Sequence, residues 1–135
     1  MLLIPVRVGP SAIEGNGLLA AVDLPAGTPV WRFHPGFDQA FAPQAFDALP
    51  PIAQKHLRHF AWVRRDDLHW ILSGDLACFM NHAGNPNTGV APGAVDTGLT
   101  VTLRPIAAGE ELTCDYFAFD AQAHAKLGSF PKISQ

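Results

Sequence analysis

Two cysteines, Cys78 and Cys114, are all that 135 residues contain. That is too few for a disulfide scaffold or for a zinc site of their own, so no metal and a reducing, cytoplasmic setting are expected. A secreted protein acting in a host-cell nucleus stays open. No apolar stretch approaches the roughly 18–20 residues of a membrane span. Residues 1–9, with Pro5 and Arg7, lack a signal-peptide pattern, so no membrane partner is expected. There is no basic run either: nine Lys and Arg stand against twelve Asp and Glu, for a net charge of −3. This argues against direct nucleic-acid binding and suits a lysine-rich partner better.

What the chain does have is apolar bulk, 48% against 16% charged residues, enough to bury a core. Its length suits one domain, residues 1–135. Twelve Gly and twelve Pro cut it into short pieces, which favours a mostly β build with many turns. Residues 2–8 and 18–24 read as strands, and 29–33 reads as the hairpin partner of the second. Residues 97–103 and 110–116 repeat the pattern. The turns Leu24-Pro25-Ala26-Gly27 and Ile106-Ala107-Ala108-Gly109 look alike, and Gly27 and Gly109 supply the positive φ they demand.

The middle has a helical texture. Residues 43–49 and 51–60 are the helix candidates, with Pro51 in the first turn and Ile52, His56, Leu57, Phe60 and Ala61 on one face. Asp66-Asp67 turns a hairpin between 60–64 and 68–72, and residues 74–81 allow one helical turn. The spacing predicts a short helix over 121–127.

Gly15-Asn16-Gly17-Leu18-Leu19-Ala20 satisfies GxGxxA, but a dinucleotide site needs a helix opening at that loop. Pro25 and Pro29 follow too soon, so the stretch is a tight glycine turn whose bare backbone lets a ligand approach. His34, His56, His59, His69 and His124 show no ligand spacing for a metal. His82 differs, because it lies in the dense polar run Asn81-His82-Ala83-Gly84-Asn85-Pro86-Asn87. No regular element tolerates that run, yet Phe79-Met80 anchors it, so it reads as a loop built to hydrogen-bond a ligand or simply as a capped turn. Tyr116 is the only tyrosine beside nine phenylalanines.

In order, the chain carries Ser-x-Ile-x-Gly-x-Gly-Leu (11–18), Phe-Met-Asn-His-x-x-x-Pro-Asn (79–87) and Ile-x-x-Gly-Glu-Glu-Leu-Thr-x-Asp-Tyr (106–116). This resembles the SET-domain protein lysine methyltransferases over residues 4–118. The resemblance implies a β-clip fold of small curved sheets, a helical insert at about 40–62 and a pseudo-knotted C-terminal segment passing beneath the 81–87 loop. It implies S-adenosylmethionine as cofactor, S-adenosylhomocysteine as product and a lysine-containing protein as substrate. Glu14, Gly15, Asn16, Gly17, Asn81, His82 and Tyr116 would hold the cofactor, and Tyr116 would be catalytic. Cys114, Tyr116, Phe117 and Phe119 would line the lysine channel.

Departures from the family pattern are visible. Cys78 stands where Arg is common, and Ala83-Gly84 where Ser-Cys is. No Cys-rich zinc cap follows Tyr116, so Phe117, Phe119 and Phe130 in the 117–135 tail, or a second subunit in a homodimer, would close the channel. An inactive SET-like module that binds a lysine segment, or a β-clip domain for another small ligand, are the alternatives.

Overall fold

In chain order the elements of this computed structural model are β1 (Val6–Pro10), β2 (Asn16–Ala20), β3 (Pro29–Trp31), β4 (Gln39–Phe41), α1 (Pro43–Asp47), α2 (Pro51–Phe60), β5 (Trp62–Val63) and β6 (Trp70–Leu72). A 3₁₀ turn (Leu76–Phe79) follows, then β7 (Asn81–His82), β8 (Thr88–Gly89), β9 (Thr100–Thr102), β10 (Glu111–Cys114), α3 (Tyr116–Phe119) and α4 (Ala123–Leu127). The structure describes residues 1–127, so Phe130 lies outside the described residues. The strands form three small sheets ordered β1-β2-β10-β7, β3-β9-β8 and β4-β6-β5. Mostly β, with few and short helices, is what the density of Pro and Gly dictates.

The hairpin across Asp66-Asp67 forms, with β5 antiparallel to β6, but the two expected at the look-alike turns do not. β2 pairs with β1 and β10, whereas β3 pairs with β9. Residues after each look-alike turn therefore leave the sheet that precedes it. The two turns meet instead: Leu24 and Ile106 form an antiparallel bridge, and Gly27 N–H and Gly109 N–H bond across to Thr102 and Ala20. Both glycines have the positive φ read from the sequence, 80° and 86°. Burial explains the exchange, because Leu18, Leu24, Val30, Ile106 and Leu112 share one core that two separate hairpins could not enclose.

The first strand also starts later than expected, at Val6, while Leu2 makes a lone bridge to Trp31. Pro5 has no N–H to extend the ladder.

A second core sits under the insert. Phe46 of α1 stacks on Trp70 at 4.1 Å, with Leu57, Ala61 and Val63 around them. Helices α1 and α2 lie within residues 40–62, beside the β4-β6-β5 sheet, whose middle strand ends at Leu72. Helix α2 has the boundaries expected from its sequence. Its buried face is narrower, however: Leu57 is buried, but Ile52 is 80% exposed.

Candidate functional site

Strand β10 organises the site. Leu112, Thr113 and Cys114 are buried, and the strand lies antiparallel to β2 on one side and parallel to β7 on the other. The polar loop 83–87 is tied to it at both ends. Ala83 N–H bonds the Cys114 carbonyl, and Asn87 takes the place of a strand partner. Its Oδ1 accepts Thr113 N–H at 2.8 Å while its Nδ2 donates to the Glu111 carbonyl at 2.8 Å. Thr88 Oγ1 adds a bond to the Thr113 carbonyl at 2.7 Å. Asn87 is thus spent on the fold, and Asn81 and His82 remain for other work.

Asn81 reaches the glycine turn. Its Nδ2 faces four acceptors: Glu111 Oε2 at 2.9 Å, Ser11 Oγ at 3.1 Å, and the carbonyls of Glu14 at 3.2 Å and Asn16 at 3.3 Å. Two N–H groups shared among four acceptors hold the turn from several directions at once. Ser11 Oγ donates to Glu111 and accepts from the N–H groups of Ile13 and Glu14, which folds the turn locally. Gly15 has φ +49° with open space where a Cβ would stand, so the turn presents bare backbone. Gly17 is needed for a different reason, because a Cβ there would lie 2.5 Å from Glu111 Oε2. Spacing alone does not single out Ser11 and Glu111; a serine opening the first motif and an acid on a buried strand are the signals available.

His82 is buried, and its Nδ1 accepts the Tyr116 backbone N–H at 3.0 Å. That bond fixes the neutral tautomer with its proton on Nε2. Nε2 is itself buried without a hydrogen-bond partner among the described residues. Burial holds this imidazole below its ordinary pKa, and Asp115, 3.6 Å away, opposes the shift.

Strand β10 ends at Cys114 rather than reaching residue 116, and Tyr116 opens α3. The cause is Asp115, whose side chain accepts Phe117 N–H as a helix cap. Asp115 keeps extended dihedrals, so Cys114 and Tyr116 still face one cavity. The Tyr116 hydroxyl donates to the Met80 carbonyl at 2.6 Å, which leaves its lone pairs free. Burial pushes the Tyr116 phenol and the Cys114 thiol well above their usual pKa values. At neutral pH both stay protonated, so Cys114 is no thiolate nucleophile.

The cavity measures about 550 Å³ and is lined by Trp31, Phe33, Trp62, Met80, Cys114, Tyr116 and Phe119, among others. Phe119 packs edge-on against Tyr116 and Trp62, at 6.0 and 5.2 Å between ring centres. Phe117 is not on this wall; it packs at 5.4 Å on the His82 ring and at 5.0 Å on His124. Asn81, His82 and the Gly15-Asn16-Gly17 turn lie away from the cavity lining as well. Met80 and Asn81 are consecutive, yet the first lines the cavity and the second fastens the turn. Among the described residues, no group of His, Cys, Asp and Glu is placed to hold a metal ion, and no helix is long and apolar enough to cross a membrane.

A family model described as SET domain matches residues 15–117. No curated protein matches the sequence significantly. Among solved structures, the fold is similar to a humanized mutant of the Chaetomium thermophilum Polycomb Repressive Complex 2 bound to the inhibitor GSK126. That match has a TM-score of 0.62 and 23% identity, and covers 90% of this chain and 16% of that one. A second is ctPRC2 in an autoinhibited conformation bound to S-adenosylmethionine, with TM-score 0.63, 22% identity, and 92% and 16% covered. A Plasmodium falciparum candidate histone methyltransferase matches with TM-score 0.56 and 12% identity, over 85% of this chain and 95% of that one. The chain thus spans 16% of the length of the Polycomb chains, and the likeness is one of fold.

Proposed function

The chain belongs to the SET-domain family, and from that premise we propose that it transfers a methyl group from S-adenosylmethionine to the side-chain amine of a lysine in a protein. One observation carries the proposal. The segment Met80–His82 has the apolar cavity on one side and the glycine turn on the other, and Tyr116 is bonded to it through both its hydroxyl and its backbone N–H.

The residues beside the turn fit the cofactor. Bare backbone at Gly15, the carbonyls of Glu14 and Asn16, the Asn81 amide and the orphaned His82 Nε2–H offer a flat polar ligand both acceptors and donors. A buried N–H without a partner costs on the order of 1–3 kcal/mol, which a ligand acceptor would recover. When bound, S-adenosylmethionine supplies a methyl group activated by a sulfonium.

The chain's own residues prepare the other reactant. Free lysine has a pKa near 10.4, so its amine must shed a proton before it can attack. An aromatic cavity disfavours the charged form by desolvation and excludes water from the reacting atoms. The Tyr116 oxygen, its proton committed to the Met80 carbonyl, orients the neutral amine through its lone pairs. Alignment of this kind supplies most of the gain in an in-line displacement.

The test is to incubate the protein with methyl-labelled S-adenosylmethionine and a cell lysate, then locate label by mass spectrometry. Label on protein lysines supports the proposal. Calorimetric binding of the cofactor with no label transferred would replace it with an inactive lysine-binding module.

A further inference from the structure

Lys126 of α4 points back along the cavity wall. Its Nζ donates to Asp120 Oδ2 at 2.8 Å and to the Ala61 carbonyl at 2.5 Å, and lies 5.6 Å from the centre of the Tyr116 ring. Ala61, Tyr116, Asp120 and Lys126 all line the cavity described above. Asp120 is 1% exposed. Its Oδ1 is taken by the backbone N–H groups of Val63 and Gln122, so Oδ2 is the atom turned to a cation. A carboxylate this deeply buried is costly without a paired positive charge. A carboxylate, a carbonyl and an aromatic face around one ammonium make a built site for that group.

We propose that Asp120 Oδ2, the Ala61 carbonyl and the Tyr116 ring form a binding site for a primary alkylammonium, and that Lys126 fills it as an internal stand-in for the lysine of the protein substrate. The second half rests on the methyl-transfer reading. A substrate lysine then enters by exchange: its protonated amine takes Asp120 as Lys126 withdraws, so the buried carboxylate is never left unpaired. The amine then leaves Asp120 for the apolar wall beside the Tyr116 oxygen, where desolvation drives its proton out to solvent water. Lys126 thereby competes with substrate and sets a threshold for entry.

Chemical rescue tests the site without turnover. Lys126→Ala leaves Asp120 unpaired, and n-butylammonium should restore the missing cation. Its melting temperature should rise with added n-butylammonium by roughly 5 °C near tenfold saturation, while the wild type stays unchanged and n-butanol does nothing. No response, or an equal response to n-butanol, overturns the site. Should Lys126→Ala fail to fold, the wild type answers through acetic anhydride labelling. Lys126 should react at least ~10-fold more slowly than the exposed Lys55, and the ratio of Lys126 to Lys55 labelling in one tube should rise with added n-butylammonium, which consumes reagent for both lysines alike; equal rates, or a ratio that does not move, overturn the proposal. Rescue without methyl transfer to any protein lysine would remove the functional reading and leave the ammonium site standing. Transfer without rescue would do the reverse.

Discussion

Leu24 and Ile106 exchange backbone hydrogen bonds in both directions, at 2.7 and 2.9 Å. The bridge joins the two turns at the point where β2 and β9 hand the chain to different sheets, and both side chains are buried in the main core. It lies at the root of β10, the strand that leads into Tyr116. Truncating Ile106, 1% exposed, removes apolar contacts from the centre of that core. Ile106→Ala should cost about 2–5 kcal/mol in urea unfolding. A loss below ~1 kcal/mol would mean that the core collapses around the cavity and the bridge alone holds the turns.

The same pair of residues shows where sequence reading stops. Gly27 and Gly109 are legible because positive φ is a local demand, and helix α2 because Pro51 and the apolar spacing are local signals. Which strand β2 lies beside is a long-range matter, decided by how Leu18, Leu24, Val30, Ile106 and Leu112 fill one volume, and spacing does not encode it. The site follows the same rule. Asn81, His82 and Tyr116 stand out through unusual residue types in dense runs. Glu111 does not, since an acid on a strand reads as an exposed face until Ser11 and Asn81 are seen to meet it. Lys126 is equally silent, because its partner Asp120 is recognisable only once buried.

Tyr116→Phe should leave fold and cofactor affinity intact and lower methyl transfer by at least ~10²-fold, roughly 2.7 kcal/mol of transition-state stabilisation. The motive is the 2.6 Å bond to the Met80 carbonyl, which fixes the hydroxyl at the cavity wall. Single-turnover rates of the two proteins at saturating cofactor decide it. Equal rates would reduce the hydroxyl to a packing role.

His82 gives the protein a pH dependence with a definite sign. In the fold, burial holds its pKa below the ordinary 6.5 despite Asp115. The unfolded chain therefore takes up the proton more readily, and stability rises with pH. This contribution is complete above the ordinary value and is lost as pH falls beneath it toward the folded pKa. Protonation also removes the acceptor for Tyr116 N–H. Urea midpoints should drop between about pH 7.5 and 5.5, and the drop should shrink in His82→Gln. The same drop in both proteins would assign the effect to other groups.

Gly17→Ala should act through Glu111. The added Cβ would lie 2.5 Å from Oε2, so the carboxylate must leave Ser11 and Asn81, which then release the turn. Cofactor binding should weaken about 10-fold, close to 1.4 kcal/mol. In Glu111→Ala the clash with the carboxylate is absent and only Ser11 Cβ, 3.1 Å from the added methyl, must give by a few tenths of an ångström, so the double variant should bind close to Glu111→Ala alone. Calorimetry completes the cycle, and additive losses would mean that Gly17 touches the ligand directly.

Cys114 sets the room beside the reacting amine. It is buried on the same cavity as Tyr116, Trp62 and Phe119. A thiol is smaller than an aromatic ring and a poor hydrogen-bond donor, so it neither blocks rotation of a methylated amine nor fixes a water against it. The wild type should therefore add more than one methyl group. Phe33 and Phe119 line the cavity too and are the residues able to fill the vacated space. Cys114→Tyr places a ring and a hydroxyl inside a cavity of about 550 Å³, so the side chain has somewhere to go without forcing the core apart. Its products should shift toward monomethyl-lysine. Mass spectrometry of one peptide at long reaction times compares the two proteins. If the wild type halts at a single methyl group, the neighbouring phenylalanines already occupy the space that Cys114 leaves.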